Sequence, residues 1–193
     1  MPIVRILFER GAFTAADTHA TAWALAAYAF GLPAFVLQKV FQPAFFSRED
    51  TTTPMRLAVW TMAANIAGSV GLYLALKAAG LMPHVGIAVA TTASGWLNAI
   101  LLWRVLSRRG DFVLDARLKR NVPRIIGASV LMGAALLVGM HVLSPVLARG
   151  AGAAANMLAL AALVGVGLVS FAAAAVIGGE YNARALARKL RLL

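Results

Sequence analysis

Residues 28–54 read YAFGLPAFVLQKVFQPAFFSREDTTTP. The stretch is an apolar helix carrying Pro33, Gln38, Lys39, Gln42 and Pro43, closed by a charged turn, Ser47 to Thr53, that runs straight into the next apolar run at Pro54. Hydrocarbon cannot solvate an ammonium or a carboxamide, so those side chains must face a partner or a wet cavity. The chain is therefore read as a membrane protein with a polar interior.

Composition agrees. Of the 193 residues 61% are apolar and only 13% charged, where a soluble domain has roughly half and about a quarter. Five apolar runs of spanning length account for the excess, since a bilayer core about 30 Å thick needs about 20 helical residues. The spans are expected at about 19–46, 54–77, 85–106, 123–143 and 156–177, giving an all-α, polytopic membrane domain over 19–178. Residues 1–18 read as the end of a preceding helix plus an external loop, and 179–193 as a basic cytoplasmic tail.

Within the first span, Gly31, Phe35, Gln38 and Gln42 fall on one face by helical spacing, with Lys39 about 60° from Gln42 at its edge. Thr14 or Asp17 can cap this helix by accepting from its free amides, and Pro33 and Pro43 should kink it. The second span carries Thr61, Asn65 and Gly68 on one stripe, and the third Thr91, Ser94 or Gly95, and Asn98. Small and amide residues on one face suit close helix packing in lipid.

The formal charge of +11 would suggest nucleic acid in a soluble protein. No basic run here is interleaved with aromatics for base stacking, so nucleic acid is excluded as a partner. In a polytopic chain basic residues set orientation instead. Thirteen Lys and Arg lie on the side of the first and third connections and the tail, four on the other side, and Lys39 lies inside. The basic side belongs in the cytoplasm, which places the N-terminus of this chain outside and its C-terminus inside. An external start without a signal sequence suits a chain that continues a longer one by an odd number of spans.

No cysteine is present, and His19, His84 and His141 lack ligand spacing, so neither a metal nor another cofactor is expected. No paired carboxylates, nucleophile–base pair or phosphate-binding glycine loop appears, which argues against an enzyme.

Several segments then resemble one family. They are Leu7-Phe-Glu-Arg-Gly-Ala-Phe-Thr14, Ala27-Tyr28 with Gly31-Leu32-Pro33, Lys39-Val40 with Pro43-Ala44-Phe45, Ser47-Arg48, Asp50-Thr51, Thr53-Pro54, Asn65 and Gly86. Over residues 7–104 the chain resembles the C-terminal part of the MurJ (MviN) lipid II flippases, in the multidrug/oligosaccharidyl-lipid/polysaccharide exporter superfamily; beyond that the likeness is one of hydropathy.

The resemblance implies a bacterial inner-membrane transporter of fourteen spans, of which these five helices form most of the C-terminal lobe. It implies alternating access for lipid II or a similar polyprenyl-linked substrate, with the N-terminal lobe as the partner missing from this chain. Lys39, Gln38, Gln42, Asn65 and Asn98 are candidates for the substrate cavity, and Arg48, Glu49 and Asp50 for a cytoplasmic gate. The residues themselves leave other readings open. Lys39 is about 12 Å from Ser47 along the helix and can snorkel to the surface. The amides can be interhelical glue, the turn can be simply solvated, and the basic run Arg104 to Arg124 can touch anionic lipids. Two further functions stay open as well: export of another lipid-linked saccharide or a drug, and a membrane scaffold without transport.

Overall fold

The computed structural model describes residues 2–8, 11–110, 116–144 and 153–177. All regular structure among them is helical: α1 (Pro2–Phe8), α2 (Ala15–Phe46), α3 (Thr52–Ala78), α4 (Pro83–Arg108), α5 (Ala116–Val142) and α6 (Ala153–Ile177). Five of these, α2 to α6, are long and apolar enough to cross a membrane. Most ends fall within four residues of expectation, and two of the differences bear on the chemistry. The third polar connection is shorter, because α5 begins at Ala116 and carries Arg117 to Arg124 inside the helix. α3 begins two residues before Pro54, leaving that proline in the first turn, where its missing donor costs nothing. The tail expected at 179–193 and most of the loop before α6 lie outside the described residues.

The helices fall into two compact units, α1 to α4 and α5 with α6. In the first, α4 packs along both α2 and α3, which barely touch one another. Its buried face explains that central place. Gly86, Ala88, Ala90, Thr92, Gly95, Asn98 and Ala99 are all buried, and Leu102 and Leu106 follow one turn apart. Small side chains let two helices approach a third closely, which is the source of packing energy in lipid. At Gly86 a β-carbon would stand 3.0 Å from the backbone carbon of Leu72 in α3, and at Gly95 3.1 Å from the Phe35 ring of α2.

α2 is one unbroken helix through both prolines. Thr14 caps it and Asp17 reciprocates: the Asp17 amide donates to Thr14 Oγ1 at 3.3 Å and the Thr14 amide to Asp17 Oδ2 at 2.9 Å. Three side chains then tie it to its neighbour. Thr92 Oγ1 donates to the Ala27 carbonyl at 2.8 Å, Trp96 Nε1 to the Phe30 carbonyl at 3.1 Å, and Gln38 Nε2 to the Gly95 carbonyl at 2.8 Å. The Trp96 bond lies one residue from Ala29, whose carbonyl loses its helical donor to Pro33. At the other end Phe41, Phe45, Leu102 and Leu106 form a buried cluster, flanked by Leu37, Ala44, Leu57 and Val105.

The second unit is an apolar helical hairpin whose two helices notch each other. A β-carbon on Gly139 of α5 would meet Leu163 of α6 at 2.9 Å, and one on Gly167 of α6 would meet Leu136 of α5 at 3.3 Å. Leu158, Leu168 and Val169 on α6 and Val130, Leu137 and Val138 on α5 stay exposed, as lipid-facing residues should.

The Gly86 contact is testable. Because Leu72 offers backbone there, which cannot give way, Gly86→Ala is expected to destabilise the α3–α4 packing by about 1–3 kcal/mol, read as a lower thermal midpoint in detergent. Gly71→Ala, where a β-carbon meets nothing within 4 Å, should hold or raise the midpoint, since alanine is the better helix former by about 1 kcal/mol.

Candidate functional site

Because α2 and α3 flank α4 and touch one another only slightly, a groove runs between them with α4 as its floor. It has a volume of about 200 Å³. Phe35 and Gln38 of α2 form one wall, Ala58, Thr61, Met62 and Asn65 of α3 the other, and Thr91, Ser94, Gly95 and Asn98 of α4 the base. The polar stripes recognised on the second and third spans thus both open onto one groove, together with Gln38. Counting helical rise back from the C-terminal ends of α2 and α4, Gln38 and Asn98 lie about 12–15 Å from those ends, near the middle of a spanning length.

The amides in the groove form a chain with a fixed direction. A carbonyl only accepts, so Gly95 obliges Gln38 to turn its Nε2 toward it. Gln38 Oε1 then faces Asn98, which must donate, and Asn98 Nδ2 does so at 3.0 Å. Asn98 Oδ1 is left buried with no hydrogen-bond partner. On the α3 wall Asn65 Oδ1 accepts from Ser69 Oγ at 3.2 Å, and Thr61 Oγ1 donates back into its own helix, to Leu57 at 3.0 Å.

The remaining candidates lie elsewhere. Gln42 is half-buried but does not line the groove, and Lys39 is exposed on α2, one residue round from Gln38 and outside the groove.

At the foot of the groove the α2–α3 turn is built by backbone geometry and one ion pair. Glu49 adopts φ 58°, the left-handed conformation that ends helices. It lets the Asp50 amide reach back to the Phe45 carbonyl at 3.1 Å. Asp50 Oδ1 accepts the Thr53 amide at 2.9 Å, satisfying one of the free amides in the first turn of α3. Its Oδ2 accepts from Arg109 Nη1 at 2.7 Å, while Arg109 Nη2 donates to Thr53 Oγ1 at 3.2 Å and the guanidinium stacks 5.5 Å from the Phe45 ring centre. The Thr53 bonds first, and then the Arg109 bond, hold the Asp50 carboxyl down at about 2, from an ordinary 3.8.

Of the proposed gate trio, then, Asp50 is joined to α4, whereas Arg48 and Glu49 lie exposed beside it. Sequence reasoning missed Arg109 as the partner, placing it only in a basic run; no spacing rule relates residues 50 and 109. It missed Thr92 and Trp96 as well, since a donor aimed at another helix's carbonyl leaves no periodic trace.

Fold and groove together define a polytopic α-helical membrane protein with an uncharged polar seam at mid-depth. Comparison with known proteins then identifies the family. Residues 1–151 match the family model described as lipid II flippase MurJ, and the chain belongs to that family. Among its relatives, the probable lipid II flippase MurJ of Rhizobium meliloti (strain 1021) is 41% identical over 92% of this chain and 32% of its own length. The namesake from Rhizobium tropici is 38% identical over 92% and 32%, and that of Vibrio cholerae 36% over 89% and 31%. The likeness extends well past residue 104, where the familiar segments end, and the chain spans about a third of the length of these relatives.

Two outcomes follow for the turn. A lowered carboxyl pKa stabilises the fold only where the unfolded group would also be ionised. The contribution of Asp50 should therefore be full above about pH 4 and fade as pH falls toward 2. Asp50→Asn should flatten that acid limb in thermal melts, by a modest amount because the pair is partly solvated. Glu49→Gly should hold or raise the melting midpoint, by up to about 1 kcal/mol, since glycine adopts the left-handed conformation without strain.

Proposed function

We propose that this chain forms most of one lobe of an inner-membrane flippase, the other lobe lying in sequence that it does not contain, and that the assembled protein carries a lipid-linked peptidoglycan precursor, lipid II, across the bilayer by alternating access. The observation that carries this reading is the family match over residues 1–151, on a chain whose spans enclose a polar seam rather than a solid apolar bundle. In this reading the two lobes rock about a central cavity. The polar headgroup crosses through it while the polyprenyl tail stays in lipid.

The turn that holds Arg48, Glu49 and Asp50 lies on the cytoplasmic side, and Lys77 and the α3–α4 loop lie outside. The charge asymmetry of the connections supports that orientation. The Arg109–Asp50 tie is exposed and so worth only about 0–1 kcal/mol, weak enough to break and re-form each time the cytoplasmic mouth opens. Arg56, Arg104 and Arg108 on the same side are exposed and suit anionic headgroups.

Lys39, with Gln42 beside it, faces the central cavity. An ammonium left against acyl chains would cost about 3 kcal/mol or more, and water shared with the second lobe removes that cost. Moving a diphosphate-linked sugar past it would gain from the charge.

Complementation tests the reading. Joined behind the first two thirds of the Rhizobium meliloti relative, this chain should rescue growth of a strain depleted of its lipid II flippase; expressed alone it should not. Rescue by residues 1–193 alone would refute the two-lobe reading. In the rescuing protein Lys39→Met should reduce flipping at least about tenfold, as expected for loss of one hydrogen bond to a charged group, about 1.5–3 kcal/mol; unchanged flipping would return Lys39 to the role of a surface anchor.

A further inference from the structure

We propose that the groove over α4 is the seat of a further membrane-spanning helix, from the two thirds of the family's length that this chain does not cover, and that this helix presents a hydrogen-bond donor to Asn98 Oδ1. The starting point is the amide chain. The Gly95 carbonyl fixes Gln38, Gln38 fixes Asn98, and the acceptor left over is on a side chain only 9% exposed. A buried acceptor without a donor costs about 1–3 kcal/mol, and lipid has no donor to offer.

The surroundings do not supply one either. Thr91, Ser94 and Thr61 already donate to carbonyls of their own helix, and the Ser69 hydroxyl is spent on Asn65. The mid-span hydroxyls of the second unit are occupied in the same way: Ser129 donates to the Ile125 carbonyl and Ser170 to that of Gly167. The remaining amide donor in the groove, Asn65 Nδ2 on the α3 wall, does not reach Asn98 Oδ1 either, which has no partner among the described residues.

Size and lining decide what carries it. At about 200 Å³ the groove falls below the roughly 300–1,000 Å³ of small-molecule sites, and it is far too small for a saccharide headgroup. It has the shape left between two helices that both lean on a third, and the small Ala58 on its wall allows a backbone to come close. A helix laid there buries the apolar rim and delivers one polar side chain at the level of Asn98. The relatives are about three times as long as the stretch that matches, so the family fold holds the polypeptide to supply it.

A benzoylphenylalanine photoprobe at Met62, an exposed groove residue, reads what covers the groove. It is placed in the fusion behind the first two thirds of the Rhizobium meliloti relative, purified as a single species in phospholipid vesicles free of lipid-linked saccharide. Cross-links are expected to a membrane-spanning segment preceding residue 1. Asn98→Leu should weaken them about fivefold, the factor of one interhelical hydrogen bond in lipid, and Asn98→Asp, whose carboxyl held neutral by burial keeps a donor for Gln38 Oε1 and a free acceptor, should not. Cross-links only to phospholipid, to α5 or α6, or to a second copy overturn the proposal, as does equal cross-linking in Asn98→Leu.

Where no fusion purifies as a single species, the probe is read on the 193-residue chain with an added Leu/Ala peptide of about 20 residues, a spanning length, bearing one central Gln. It should cross-link more strongly than its all-apolar counterpart, and equal yields reject the proposal. Failure of flipping in the complementation assay, with these cross-links intact, would count against the transport reading and leave the seat standing.

Discussion

α4 has to be covered on two sides at once, and everything in the first unit follows from how that is done. In lipid no hydrophobic force drives helix to helix; what remains is close contact and hydrogen bonding. Gly86, Ala88, Ala90, Gly95 and Ala99 give the contact, and Thr92, Trp96 and the Gln38–Gly95 bond give the second part. Because two of these bonds are donated by α4 into α2 and the third returns from α2 into α4, sliding either helix along the other breaks all three together. The register is fixed from both sides.

The same arrangement makes the groove unavoidable. Two helices resting on a third, one held by glycine against the Leu72 backbone and the other by hydrogen bonds, leave a cleft where they diverge. The polar stripes of all three helices meet there. Toward the α2–α3 turn Phe41, Phe45, Leu102 and Leu106 pack together, and Arg109 lies over Phe45 while gripping Asp50. The hairpin of α5 and α6 shows the opposite policy: reciprocal Gly–Leu notches, hydroxyls spent within their own helices, and an outer surface of leucine and valine.

Much of this was legible in the order of the residues. Span number came from apolar length alone, and the Thr14–Asp17 cap from residue type and spacing. The stripes Thr61–Asn65 and Thr91–Ser94–Asn98 were visible because a helix repeats every 3.6 residues. What was not legible depends on distance between helices. Nothing local says that the Arg109 guanidinium reaches Asp50, or that Gln38 spans to a carbonyl on α4. Pattern also overstated the shared face of α2. Gln38 and Gln42 lie four residues apart, yet only Gln38 reaches the groove, because α4 contacts α2 beside Gln42 through Phe41 and Phe45 and leaves no opening there. The start of α5 was misjudged for a related reason: Arg and Lys are good helix formers, and charge alone made 116–124 look like a connector.

α2 thus carries two polar surfaces with different obligations. Gln38 turns inward, and its amide is fully used by Gly95 and Asn98. Lys39, about 100° further round, turns away from α4 and cannot share that solution. A neutral amide relay and an ammonium answer to different physics: the relay is stable in a dry seam, whereas the charge needs water or a counter-charge. Their separation on adjacent residues gives α2 one face that binds α4 and a second, exposed face that carries Lys39. That second surface costs insertion energy wherever its charge meets hydrocarbon. Its presence beside a completed internal contact is what sets this helix apart from α3, α5 and α6, none of which places a charged side chain in the middle of its span.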